Sequence, residues 1–184
     1  MKTVCVIASP RKKGNCKQIT DMIINKINQD HENTTEIHFI DDMNIKPCQA
    51  CMGCRNPENP QPCIIDDDFR KIMDQFTNED ADLLIFAAPN YFGEINAQGH
   101  IFMDRFYSMT QKTSNYLKNH PKCIIVFTYG ASDGYYDEYI NSRSRLFESI
   151  GFDVCGVISA GRGKPTSSID ENLILKIEDV VNKI

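Results

Sequence analysis

The chain has 184 residues, with 20 basic against 25 acidic side chains, a formal net charge of -5 and an apolar share of 41%. That length and apolar share suit one domain spanning residues 1–184 with a substantial core. With Arg11-Lys12-Lys13 as its longest basic tract, the chain is expected not to bind nucleic acid. The opening apolar run TVCVIA is six residues long and is broken by SPRKKG, too short for a signal peptide or a membrane span. A cytoplasmic protein is therefore expected.

In chain order, TVCVIA (3–8), DLLIFAA (82–88) and KCIIVFTY (122–129) read as strands buried on both faces, and DVCGVISA (153–160) as a weaker one. TEIHFID (35–41) alternates, with Ile37 and Phe39 on one side and Glu36 and His38 on the other, as an edge strand does. Between them, Ile19, Met22, Ile23 and Ile27 share a helical face after Asn15 as N-cap, and Tyr136, Tyr139, Ile140, Leu146 and Ile150 do so before Gly151 as C-terminal stop. Further helices are expected over about 67–78, 97–119 and 169–183. Five strand-helix alternations predict a three-layer α/β sandwich on a five-stranded parallel sheet, and an edge position for 35–41 gives the flavodoxin-like order 2-1-3-4-5.

In such a sheet ligands sit at the carboxyl ends of the strands, so the loops opening at Ser9, Asp41, Ala88, Tyr129 and Ala160 carry the functional information. The first, ASPRKKGNCKQ, leads from a strand into a helix and offers backbone N–H groups at the positive end of a helix dipole, which suits a phosphate. Ser9 and Asn15 add donors, Gly14 allows close approach and Arg11 brings a charged fork. The alternative is a capped helix after a solvated basic turn. A dinucleotide fingerprint is missing after the first strand, and GVISAGRGKP spaces its glycines like a P-loop but lacks the Lys-Ser/Thr ending.

SPRKKGNC resembles the S-P-R-x-x-G-N-[ST] phosphate loop of the flavodoxin-like NAD(P)H-dependent FMN reductases, and APNYFGEINAQGHIFMDRF (88–106) resembles that family's second signature. The resemblance implies that Ser9, Arg11, Asn15 and Cys16 surround the phosphate of FMN, Cys16 standing where the family usually has a hydroxyl. It also implies that Pro89, Asn90, Tyr91, Phe92 and Gly93 line the flavin ring; the loop TYGASDG, at the end of the run 122–129, is placed to close the other side through Tyr129 and Gly130, the alternative being a glycine that only turns the chain. His100 stands where the family often has lysine.

CQACMGCRNPENPQPC (48–63) contains C-x2-C-x2-C at Cys48, Cys51 and Cys54, with Cys63 after an eight-residue insert holding three prolines. That spacing suits a [4Fe-4S] cluster; a tetrathiolate zinc site and a metal-free loop use the same atoms. It is similar to the cysteine motif of the iron-sulfur flavoproteins, a branch of the same family, whose last gap is shorter. Cys5, Cys123 and Cys155 read as small buried hydrophobes. Asp66-Asp67-Asp68 reads as a helix cap rather than a metal site, and Asp104-Arg105 as a structural ion pair.

The expected activity is that of an FMN-dependent oxidoreductase taking electrons from NADH or NADPH and passing them to a small-molecule or protein acceptor, through a cluster if the loop holds one. No side chain is nominated as a catalytic acid or base, because the flavin does the chemistry. A non-enzymatic electron carrier between redox proteins is the rival. Family resemblance implies a homodimer or higher homo-oligomer, and nothing suggests a membrane partner.

Overall fold

The three longest apolar runs lie side by side at the centre of the sheet. The computed structural model describes every residue except 57, 59–61, 111–115 and 163–169, so part of the proline-rich insert, part of the helix expected over 97–119 and the start of that expected at 169 lie outside the described residues. The central strands are β1 (Lys2–Ile7), β3 (Leu83–Tyr91) and β5 (Lys122–Thr128), flanked by β2 (Thr34–Phe39) and β6 (Asp153–Ala160). Their order is β2-β1-β3-β5-β6 and each neighbouring pair is parallel. Only β4 (Glu94–Ile95), which folds back antiparallel on the end of β3, was not anticipated. Counting the long strands alone, the order is the 2-1-3-4-5 expected.

The pleat sends alternate residues to opposite faces. Val4, Val6, Leu84, Phe86, Ile125 and Phe127 enter the core shared with α2 (Asp68–Thr77), α3 (Ala97–Asp104) and α4 (Asp137–Ser149). Cys5, Ile7, Ile85, Ala87, Ile124 and Val126 enter the core shared with α1 (Asn15–Asp30) and α5 (Glu171–Val181). With both faces covered, the strands are apolar at every position rather than every second one. The weaker pattern of β6 has a local cause: pairing steps from Cys123↔Val154 to Ile124↔Gly156, so Cys155 is bulged out of register.

Three boundaries differ from expectation. Helix α1 is capped by Gly14, and Asn15 is its first helical residue, because the Gly14 N–H turns back to the Arg11 carbonyl at 3.0 Å while the Gly14 carbonyl accepts from Gln18 N. A Cβ at position 14 would stand 2.9 Å from Arg11 Cβ, so only glycine makes this turn without displacement. The helix expected over 97–119 is α only to Asp104 and then tightens to a 3-10 turn over Arg105–Met109, where Arg105 reaches sideways to residues 46, 63 and 67. Strand β2 ends at Phe39, and residues 40 and 41 belong to a 3-10 turn. The stop at Gly151 is as expected: Gly151 N donates to Glu148 O and Phe152 N to Phe147 O, with Gly151 at φ 108°.

Candidate functional site

The carboxyl ends of β1, β3 and β5 converge on a cavity of about 210 Å³. The chain leaves β1 for α1 on one face and leaves β3 for α3 on the other, so the cavity lies at the switch point of the sheet. It is lined by Ser9, Arg11, Gly14, Asn15, Cys16, Pro89, Asn90, Tyr91, Thr128, Tyr129 and Gly130. Every residue expected at a flavin is there except Phe92 and Gly93, which occupy the hairpin between β3 and β4. Thr128 was missed; its signal was a polar side chain ending a buried apolar run.

Three observations describe what this cavity can hold. First, Gly14 at the N-cap of α1 gives no side-chain cap bond among the described residues, as is also true of the N-caps of α2 and α4, whereas α3 and α5 are capped by Asn96 and Asp170. The positive end of α1 faces the cavity with Ser9 and Arg11 beside it, and Ser9 Oγ holds the loop by accepting from Arg11 N at 3.2 Å. Second, Asn90 Oδ1 accepts from Gly93 N at 3.4 Å, while its Nδ2 is buried with no hydrogen-bond acceptor. A buried donor of that kind is costly unless something accepts from it. Third, Cys16 Sγ lies 3.3 Å from Thr128 Oγ1, and burial pushes the thiol up to about 11, so at neutral pH it is an uncharged small wall residue. The Tyr129 hydroxyl is turned away, 3.0 Å from Ser159 Oγ and accepting from Gly134 N.

A second site lies in the long connection between β2 and α2. Cys48, Cys51, Cys54 and Cys63 all line one small cavity, of about 20 Å³, together with Ile64, Ile65, Arg105 and Tyr107 among others. Cys48 and Cys51 face solvent, while Cys54 and Cys63 are buried. Cys63 therefore lines the same cavity as Cys48, Cys51 and Cys54. Ala50 and Met52 take left-handed φ of 50° and 58°, a conformation that costs about 1–2 kcal/mol per residue. The turn packs so closely that a Cβ on Gly53 would stand 2.2 Å from Ile64 Cδ1. Burial, opposed by the nearby Arg55, raises the Cys54 thiol above its ordinary range.

Two arginines hold this loop. Arg55 Nη2 donates to Tyr107 O at 2.7 Å and to Thr110 Oγ1 at 2.8 Å, with its guanidinium 4.3 Å from the Tyr107 ring centroid. Arg105 Nη1 donates to Asp67 Oδ2 at 2.5 Å and to Lys46 O at 2.9 Å, and its Nη2 donates to Cys63 Sγ at 3.1 Å. Lys46 N also donates to Asp67 Oδ2. Asp67 stands at the N-cap position of α2 and Asp68 in its first turn, as expected of a cap or dipole partner, though the Asp67 side chain accepts from Lys46 N and Arg105 rather than from a helix amide. Arg105 forms its ion pair with Asp67, not with Asp104. Among the described residues, no three His, Cys, Asp or Glu side chains are grouped so as to hold one metal ion.

The family model described as NADPH-dependent FMN reductase matches residues 1–139. The chain belongs to that family. Among curated relatives of this FMN reductase family member, an iron-sulfur flavoprotein of Methanosarcina thermophila is 33% identical over 112 residues, 61% of this chain and 56% of that protein. An iron-sulfur flavoprotein of Methanocaldococcus jannaschii is 31% identical over 105 residues, 57% of this chain and 51% of that protein. The chain thus spans about half the length of these relatives. Among solved structures, an FMN-dependent NADH-azoreductase of Bacillus anthracis in complex with FMN matches at a TM-score of 0.66 and 12% identity, over 100% of this chain and 99% of that one. An apo NADH:FMN oxidoreductase matches at 0.67 and 12%, over 98% and 86%. At such identity the likeness is one of fold, and that fold is the flavodoxin-like α/β sandwich.

Proposed function

We propose that this family member is an FMN-dependent oxidoreductase that receives electrons from NADH or NADPH at the cavity above β1, β3 and β5 and passes them to an acceptor, with a [4Fe-4S] cluster at Cys48, Cys51, Cys54 and Cys63 as a relay. The observation that carries the flavin reading is the meeting, in one cavity, of the α1 N-terminus with Ser9 and Arg11 on one side and Asn90, whose buried Nδ2 has no acceptor among the described residues, on the other. A phosphate suits the first, through helix N–H groups and the guanidinium fork; a polar ring edge suits the second. At about 210 Å³ the cavity is smaller than the roughly 300–1,000 Å³ of a closed small-molecule pocket. It fits the phosphate end of FMN and leaves the ring open against Tyr91, where a nicotinamide or an acceptor can stack. Bound FMN supplies hydride-accepting and electron-donating chemistry. The residues around it bind and orient: Gly14 lets the backbone approach, and Pro89 and Tyr91 wall the ring.

The four thiols fit a cluster in donor type and in placement around one cavity. A mononuclear tetrathiolate site needs every sulfur about 2.3 Å from one ion, whereas a four-iron cluster takes its cysteines at separate irons. Support for the cluster comes from the C-x2-C-x2-C spacing and from the four thiols lining one cavity. The space enclosed is tight, and the additional room has to come from Cys48 and Cys51 on the solvent side. A homodimer, in which a second copy covers the fully exposed Phe92 and the half-exposed Tyr91, and a cytoplasmic location complete the reading. No described helix is long and apolar enough to cross a membrane.

Anaerobically purified protein mixed with FMN should turn yellow and melt at a higher temperature, and NADH or NADPH should bleach it. Failure to bind FMN would overturn the reading. The exposure of Cys48 and Cys51 favours a second reading, an electron carrier for protein partners. A flavin inert to both nicotinamides but reduced by ferredoxin would select it.

A further inference from the structure

Arg105 is 1% exposed and the Asp67 side chain 2%, so this is an ion pair in the protein interior. The Arg105 fork joins both ends of the cysteine loop, the Lys46 carbonyl two residues before Cys48 and the sulfur of Cys63 at the far end. A residue needed only to brace the loop would be complete with Lys46 and Asp67. The third contact is different in kind, because thiol sulfur is a weak acceptor and becomes a good one only when it carries charge. Arg105 Nε and Asp67 Oδ1 have no hydrogen-bond partner, so the geometry is not set by satisfying every polar atom.

We propose that Arg105 is a positioning residue that closes Cys63 onto the other three cysteines and, through its N–H to sulfur bond, raises the reduction potential of the cluster they hold, with Asp67 opposing it. This rests on the cluster reading above. Hydrogen bonds to cluster sulfurs and nearby net charge are among the levers that set such potentials. Positive charge stabilises the more negative, reduced state. Asp67, bonded to the same guanidinium, offsets part of that charge, so the two residues have opposite signs of effect.

The test uses the full chain reconstituted anaerobically with iron and sulfide, with iron counted per chain and the cluster potential measured by titration followed by EPR. FMN content and melting temperature serve as controls of the fold. Arg105→Gln, and the charge-balanced double variant Arg105→Gln with Asp67→Asn, should lower the potential. The expected size is at least a tenfold fall in the reduced-to-oxidised ratio at a fixed ambient potential, about 59 mV for one electron. Arg105→Lys, which keeps charge but loses the fork, should fall between these and the parent. Asp67→Asn alone should move the potential upward, and it decides the matter if the Arg105 variants do not fold. If the variants lose iron while the clusters that remain keep the parental potential, Arg105 is only a brace and the inference fails. Parent protein that takes up no iron removes the cluster reading and this inference together, before any variant is made.

Discussion

The cavity proposed for the flavin and the cysteine cavity are both reached from the carboxyl side of the same sheet, yet they are held in place by different means. The first is made of strand ends and a helix terminus, so its shape follows from the fold; Ser9, Pro89 and Thr128 have little freedom once β1, β3 and β5 are paired. The second is irregular chain with left-handed turns at Ala50 and Met52, held by side chains from elsewhere. Backbone pairing makes one site robust, and a few buried polar contacts make the other dependent on single residues.

The comparison predicts where each site breaks. The largest effect is expected from Asp67→Ala, which leaves Arg105 buried without its counter-charge and should cost about 3–5 kcal/mol in denaturant unfolding. Iron retention should fall with it, while FMN binding per folded molecule should hold. Next comes alkaline pH. Cys16 is pushed from 9.0 up to about 11, so the folded chain keeps this proton where the unfolded chain has lost it. Its stabilisation is complete below pH 9.0 and disappears as pH rises toward 11, a loss on the order of 2–3 kcal/mol. Cys5, pushed up to about 12, adds to the same slope. Urea unfolding across that range should show the decline, and Cys16→Ser should flatten it.

Gly14→Ala sharpens the contrast from the other side. The added Cβ presses on Arg11, which should cost about 1–3 kcal/mol. FMN affinity should weaken at least tenfold in a fluorescence titration while iron content stays at the parental level. The smallest effect is expected for Arg55→Ala, about 1 kcal/mol, because its partners Tyr107 O and Thr110 Oγ1 remain reachable by water. Hydrogen exchange should quicken around 48–55 and stay unchanged in 8–16.

How far each region could be read in advance follows the same division. The buried runs at 3–8, 82–88 and 122–129 declare strands because a parallel sheet covered on both faces demands apolar side chains at every position, and the order of the sheet followed from one alternating segment at its edge. That Ser9, Arg11, Gly14, Asn15 and Cys16 line one cavity was legible because a strand-to-helix loop places its side chains by local geometry. Thr128 in the cavity wall and the 3-10 turn at Arg105–Met109 were not, since each is set by a contact made across the fold.

By itself the sequence determined the layered α/β architecture, the strand order and most of the residues that gather at one cavity above β1, β3 and β5, because hydrophobic periodicity and loop placement are short-range properties. Only the tertiary structure decided that Cys63 lines one cavity with Cys48, Cys51 and Cys54, and that Arg105 pairs with Asp67 rather than with the Asp104 beside it. The physical reason is burial. A charge enclosed in the protein must find its partner wherever the packing puts one, here 38 residues away in the chain, and no local pattern encodes that distance.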